Sequence, residues 1–141
     1  MNELRLKYYK ALFMISAIYD VFLGAVFLFF YKFAFKLLGI TAYMPTFGGY
    51  LSLIGAFLLV IGIAYYLIYL GDLRRNRDLI KVGVLYKLAY CATTCYYLVI
   101  GQIPHMIFVG LFGVTDLIMF ILMLECLIFV GKMDRKVAAN P

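Results

Sequence analysis

The chain has 141 residues, of which 67% are hydrophobic and 14% are charged, and its mean hydropathy is +1.01. Soluble domains are about 45–50% apolar and about 25% charged, so a soluble domain of this length could not bury so much apolar surface, and the solvent must be lipid. The net charge of +6 comes from basic residues in flanks and loops, a pattern typical of membrane orientation rather than of nucleic-acid binding.

Four apolar stretches predict four membrane spans, over roughly residues 11–31, 50–70, 79–100 and 106–130. Each is close to the roughly 20 residues that a helix needs to cross a bilayer. The connectors after the second and third spans are short, so we expect neighbouring spans to run antiparallel. The predicted fold class is all-α, a four-helix antiparallel transmembrane bundle with short loops, in a single domain of residues 1–141.

The basic residues predict the orientation of this bundle. Ten of the 13 lie in the N-terminal flank, in the second loop with its flank or in the C-terminal tail, whereas the opposite side has only Lys32 and Lys36. The positive-inside rule therefore places both termini in the cytoplasm, in a multi-pass protein of the cell inner (plasma) membrane. The first loop has phenylalanines beside its two lysines, and we expect it to lie in the membrane interface.

The first two spans carry small residues at helical spacing. In the first span, Ser16, Asp20 and Gly24 are four residues apart and share one face. In the second span, alternating spacings of three and four predict a packing seam on a scaffold helix. The residues of this predicted seam are Ser52, Gly55, Leu59, Gly62, Tyr66 and Tyr69.

The third span carries a lysine, Lys87, well inside its apolar stretch. An ammonium at the bilayer centre costs about 2.5–3.5 kcal/mol on insertion scales, so it normally faces a partner or a wet cavity. Asp20 in the first span and Asp116 in the fourth are mid-span carboxylates. A helical rise of about 1.5 Å per residue brings all three groups to a similar level. The sequence therefore predicts that they meet inside the bundle.

Two carboxylates around one ammonium leave one surplus negative charge. We predict that Asp20 and Asp116 share about one proton while Lys87 stays charged. Tyr90 and Thr94 follow Lys87 on the same side of the third span. These five residues are the candidates for ligand binding or proton coupling. The competing interpretation is a structural hydrogen-bond cluster that fixes the register of the helices, and the sequence leaves both open.

The sequence contains no pattern that indicates an enzyme. The single histidine, His105, lies at a turn, so paired histidine ligation of haem within one chain is excluded. No cluster of carboxylates and histidines has metal-ligand spacing, and there is no Ser/His/Asp arrangement. The sequence therefore predicts no catalytic residues, no metal and no cofactor, and it excludes nucleic acid as a partner.

Two short segments resemble DoxX-like proteins: YDVFLGAVFL, from Tyr19 to Leu28, and KLLG, from Lys36 to Gly39. The resemblance implies a small four-helix membrane protein of bacterial type. It implies no activity and transfers no functional residues.

Together, these observations predict a small multi-pass integral membrane protein with a buried Lys/Asp polar site. Its predicted role is ligand binding or that of an accessory subunit, and the alternative is a proton-coupled small-molecule transporter. A membrane enzyme or quinone-linked redox protein is the third and least favoured possibility, because the sequence shows no catalytic constellation. The expected partners are the lipid bilayer, a hydrophobic or anionic small molecule, and further copies of the chain or a larger membrane complex.

Overall fold

The computed structural model describes the backbone of residues 2–139 and the side chains of residues 3–135. Within that part of the chain the structure is helical and contains no β-strand. Four helical spans are long and apolar enough to cross a membrane: Glu3–Phe29, Gly49–Leu70, Arg77–Val99 and Met106–Arg135. The all-α class and the predicted number of long apolar helices are confirmed.

The helices are α1 (Asn2–Phe29), α2 (Tyr31–Leu37), α3 (Gly49–Leu70), α4 (Arg77–Val99), α5 (Met106–Phe108) and α6 (Asp116–Ala139). A 3-10 turn, Thr41–Tyr43, follows α2, and a π-helical segment, Val109–Thr115, joins α5 to α6 in one last span. The first helix begins at Asn2 instead of residue 11, because neither glycine nor proline interrupts the basic flank.

Two glycines with left-handed backbones end helices in this fold. Gly39 follows α2 and Gly101 follows α4, and both have φ of 70°. After α2, the amide of Ile40 donates to the carbonyl of Phe35 at 3.0 Å, and that of Gly39 donates to the carbonyl of Lys36 at 3.1 Å. These two hydrogen bonds together form a Schellman motif, which satisfies the last carbonyls of a helix. The chain therefore reverses direction sharply at both points.

A close backbone approach joins α1 to α3. A Cβ atom at Gly55 would lie 2.5 Å from the backbone nitrogen of Leu28, and one at Gly62 would lie 2.9 Å from that of Val21. As the residue number increases along α3, from Gly55 to Gly62, the residue number of the contact in α1 decreases, from Leu28 to Val21. The two helices therefore run in opposite directions. Small residues allow membrane helices to approach in this way, because their backbones then make direct van der Waals contact.

The buried face of α3 agrees with the predicted seam at two of its six positions, Gly55 and Gly62. At the other four positions the buried residue is the one before the predicted one, and the residues buried there are Leu51, Leu58, Tyr65 and Ile68. Adjacent residues of a helix point about 100° apart. Tyr66 is therefore 44% exposed, and Tyr65 is the tyrosine that faces the core.

The four spans form two pairs. Helix α1 packs most extensively against α3, and α4 packs against the last span, whereas α3 and α4 touch only slightly although they follow each other in the chain. Apolar clusters lie on both sides of the central level of the bundle. One contains Phe13, Tyr65 and Met123, and the other contains Leu58 and Phe112.

We expect Gly55→Ala to destabilise the fold by about 1–3 kcal/mol, because the added methyl group must push the backbones of α1 and α3 apart. The measurement is reversible unfolding in mixed detergent–SDS micelles, followed by circular dichroism. Gly110→Ala is the matched control, since a Cβ there would have no atom within 4 Å. Equal stability of the two variants would contradict the close approach of α1 and α3.

Candidate functional site

The ammonium of Lys87 lies between two carboxylates from other helices. Its Nζ donates to Oδ1 and Oδ2 of Asp20 at 2.9 and 3.0 Å, and to Oδ1 of Asp116 at 2.9 Å. Lys87 is 0% exposed, and both aspartates are 1% exposed. The predicted meeting of the three charges is thus observed, and we call these residues the ion cluster.

The contacts of Lys87 are all with carboxylate oxygens: two with Asp20 and one with Asp116. Because the side chain is also 0% exposed, its charge is balanced inside the bundle and a ligand does not reach it in this arrangement. Charge-assisted bonds of this length are strong, and they compensate the desolvation of the buried ammonium.

Three tyrosine rings surround the same ammonium. The Nζ of Lys87 lies 5.0 Å from the ring centre of Tyr19, 5.6 Å from that of Tyr65 and 5.7 Å from that of Tyr86. Each distance is within the range of a cation–π interaction, which is stronger where water is excluded. We call these three residues the tyrosine cage. One ring comes from each of α1, α3 and α4, and the three rings surround the ammonium.

The tyrosine cage is itself held by backbone carbonyls. The hydroxyl of Tyr19 donates to the carbonyl of Leu111 at 2.9 Å, and that of Tyr65 donates to the carbonyl of Gly83 at 3.2 Å. A Cβ at Gly83 would lie 2.6 Å from a ring atom of Tyr65, so a glycine is required there for the ring to pack. The hydroxyl of Tyr86 is buried and has no hydrogen-bond partner among the described residues.

The π-helical segment lies directly before Asp116. Its wider turns shift the hydrogen-bond pattern from i+4 to i+5, and such segments occur frequently at functional sites. The hydroxyl of Thr115 donates to the carbonyl of Gly110, five residues earlier, at 2.9 Å. The carbonyl of Leu111, within the same segment, accepts the hydroxyl of Tyr19. The segment therefore connects α1 to the last span next to the carboxylate of Asp116.

The other two predicted site residues, Tyr90 and Thr94, lie beyond the tyrosine cage. Tyr90 packs against Tyr86 and Phe112, with ring centres 4.8 and 5.6 Å away. The hydroxyl of Thr94 donates to the carbonyl of Tyr90 at 2.9 Å, and neither side chain is hydrogen-bonded to Lys87 in the described part of the chain. The structure thus brings together three of the five predicted site residues and places the other two nearby.

Tyr90 and Thr94 line a cavity of about 470 Å³, which we call the Tyr90 cavity. It lies where α3 and α4 barely touch, and its wall is mainly aromatic and aliphatic. Thr93 and Tyr43 add further hydroxyl groups, and Phe112 is also part of the wall. Lys87 is not part of the wall, so Tyr86, Tyr90 and Phe112 separate the cavity from the ion cluster.

None of the three residues of the tyrosine cage is among the predicted site residues. Tyr65 is also not a member of the predicted seam, and Tyr19 and Tyr86 are direct neighbours in sequence of Asp20 and Lys87. A signal was available for Tyr65, because it follows the seam residue Gly62 by three positions and so lies on the same face. No periodic signal marks Tyr19 or Tyr86.

The arrangement can hold a proton but has no donor set for a metal. Among the described residues, no group of three or more His, Cys, Asp or Glu side chains could hold a metal ion. The three cysteines are free thiols, of which Cys91 and Cys126 are buried. The ion cluster compensates the charge of the buried ammonium.

We expect Lys87→Met to cost about 3–5 kcal/mol of unfolding free energy, because it leaves two buried carboxylates without their cation. The control is Lys81→Met on the same helix, whose lysine is exposed and pairs with the exposed Asp78 at 2.6 Å. Detergent–SDS unfolding of both variants measures the difference. If Lys87→Met unfolds at the same SDS fraction as Lys81→Met, the ion cluster contributes nothing to the fold.

No protein-family model, curated protein or solved structure matches this chain.

Proposed function

We propose that this chain is a multi-pass membrane protein that binds a small, mainly apolar molecule in the Tyr90 cavity, by itself or as an accessory subunit of a larger membrane complex. The observation that carries the proposal is the cavity, because its volume of about 470 Å³ falls within the range of about 300–1,000 Å³ that is usual for ligand sites. A mainly apolar wall with a few hydroxyl groups is also typical of such sites.

The hydroxyl groups of the cavity indicate what the ligand carries. Thr94 uses its hydrogen to bond the carbonyl of Tyr90, so its oxygen remains available as an acceptor. Thr93 and Tyr43 offer hydroxyls that can donate or accept. A molecule with one hydroxyl or carbonyl group on an apolar body suits this wall. An anionic ligand is disfavoured, because Lys87 is fully buried, is paired with two carboxylates and is not part of the cavity wall.

The distribution of charge supports an orientation for the proposed binding protein. With ten basic residues at the end that holds both termini, we propose cytoplasmic termini in an antiparallel bundle within the inner membrane. The Tyr90 cavity then lies in the half of the membrane away from the cytoplasm, since Tyr43 and Pro104 of the two loops at that end line it. Membership of the DoxX-like proteins remains a proposal based on the segment from Tyr19 to Leu28.

We expect Thr93→Trp to block the cavity, because the indole would occupy space that the threonine leaves open. The probe is a diazirine-bearing fatty alcohol, photo-crosslinked to the chain in lipid nanodiscs. Adducts mapped by mass spectrometry should fall on residues 89–94, which line this cavity and not the groove beneath α2, and should decrease several-fold in the variant.

Val99→Trp provides the matched control for this experiment. Val99 lies on the same helix, is 85% exposed and is not part of the cavity wall. Its variant should label like the original chain. Adducts spread evenly over the lipid-facing surface, or unchanged in Thr93→Trp, would contradict binding in the cavity.

A second candidate function, proton-coupled transport, is favoured by the charge balance of the ion cluster. One ammonium faces two carboxylates at bonding distance, and an isolated extra negative charge is costly in a low-dielectric interior. A shared proton removes this charge, and its release and uptake could couple to movement of a bound molecule. Asp116 contacts Lys87 through Oδ1 alone, which leaves its Oδ2 able to carry that proton.

Infrared spectroscopy with isotope-labelled aspartate tests this second candidate. At neutral pH we expect the band of one buried carboxylic acid per chain, absent from both Asp20→Asn and Asp116→Asn, because each variant leaves one carboxylate to balance Lys87. A transporter needs that proton to leave, so the band should weaken as the pH is raised. A band that is constant over the pH series would exclude proton exchange and leave the binding function in place.

A further inference from the structure

A second apolar cavity, of about 460 Å³, lies beneath the short helix α2. We call it the α2 groove. Its wall comes from the end of α1, from α2 and from the start of the last span, and it includes Phe22, Phe30, Phe33, Leu37 and Ile107. No charged side chain belongs to the wall. A groove of this kind at the end of a membrane helix suits an acyl chain.

Helix α2 is amphipathic with respect to the α2 groove. Ala34 and Leu38 belong to the groove wall, whereas Lys32 and Lys36 are exposed. At about 100° per residue, the two lysines share one face and lie nearly opposite Ala34 and Leu38. Such a helix lies in a membrane interface with its apolar face toward the acyl chains and its cationic face toward the headgroups.

The two lysines have no acidic partner within the chain. None of the ion pairs among the described residues includes Lys32 or Lys36. The sequence explains this: it contains no Asp or Glu between Asp20 and Asp72, and none between Asp78 and Asp116. Both loops at this end of the bundle are therefore free of acidic residues, and the exposed ammonium groups of the two lysines are available to an anionic group from outside these loops.

We propose that α2 and the α2 groove form a binding site for an anionic phospholipid of the surrounding bilayer. The phosphate lies against Lys32 and Lys36, and one acyl chain enters the groove. Basic residues near an anionic membrane surface contribute about 1 kcal/mol each, which corresponds to about fivefold in affinity per lysine and about 25-fold for the pair. The groove and the Tyr90 cavity adjoin, since Phe27, Phe35 and Phe108 belong to both walls, but the lysines belong to neither wall and the lipid site does not depend on the proposed function.

Tryptophan fluorescence tests the proposal directly, because the chain contains no tryptophan. Phe33→Trp places a single reporter in the groove wall, at a position that is 67% exposed. The full chain in detergent is titrated with brominated phosphatidylglycerol or with brominated phosphatidylcholine, whose bromines quench nearby indoles. Phosphatidylglycerol should reach half-maximal quenching at about 25-fold lower concentration.

Further variants of the Phe33→Trp protein separate the contribution of the two lysine charges from that of the apolar groove. Lys32→Gln with Lys36→Gln should remove the preference for phosphatidylglycerol, and replacing both lysines with arginine should retain it. The matched control is Lys7→Gln with Lys10→Gln, which removes the same charge at the other end of the bundle and should leave the preference intact. Inorganic phosphate should not compete, since it has no acyl chain.

Two results would overturn the lipid site. The first is equal quenching by both lipids in the original chain. The second is a preference that survives the loss of Lys32 and Lys36 but falls when Lys7 and Lys10 are replaced. Neither result bears on probe labelling of the Tyr90 cavity, so the lipid site and the proposed function fail independently.

Discussion

The ammonium of Lys87 links the two helix pairs at the centre of the bundle. It belongs to α4, and its two carboxylates come from α1 and from the start of α6. This contact joins the pairs, together with the hydrogen bonds of Tyr19 and Tyr65 and the buried apolar cluster around Phe13 and Met123. A buried ion cluster is weak evidence for extra stability, because desolvation offsets much of its attraction. Its stronger consequence is geometric, since only one rotation and height of each helix satisfies all three charges.

The residues around Lys87 exclude water from the buried ammonium. Three tyrosine rings face the ammonium with their π electrons, so they replace water without introducing a further charge. Tyr19 also bonds the carbonyl of Leu111 in the π-helical segment. One residue of α1 thus contacts the ion cluster and the backbone that leads into Asp116. Phe112, in the same segment, lines the Tyr90 cavity, so the cavity and the ion cluster share a structural element.

The two ends of the bundle differ in chemistry. At the end with the termini, Arg74 and Arg77 pair with Asp134 at 2.9 and 3.5 Å, and the hydroxyl of Tyr9 bonds Glu125 at 2.9 Å. The other end has no acidic residue, is rich in phenylalanine and contains both the Tyr90 cavity and the α2 groove. Both proposed binding sites thus lie at the second end, and the ion pairs between loop and tail lie at the first.

The sequence by itself determined the four spans, the all-α class and the common level of Lys87, Asp20 and Asp116, because hydropathy and helical rise are local properties. Only the tertiary structure decided which spans pair, that Tyr65 and not Tyr66 faces the core, and that Tyr90 and Thr94 line a cavity apart from the ammonium. These features depend on the rotation of each helix about its axis, and a shift of one residue turns a side chain by about 100°. The π-helical segment adds such a shift before Asp116, and no pattern in the residues Val109–Thr115 indicates it.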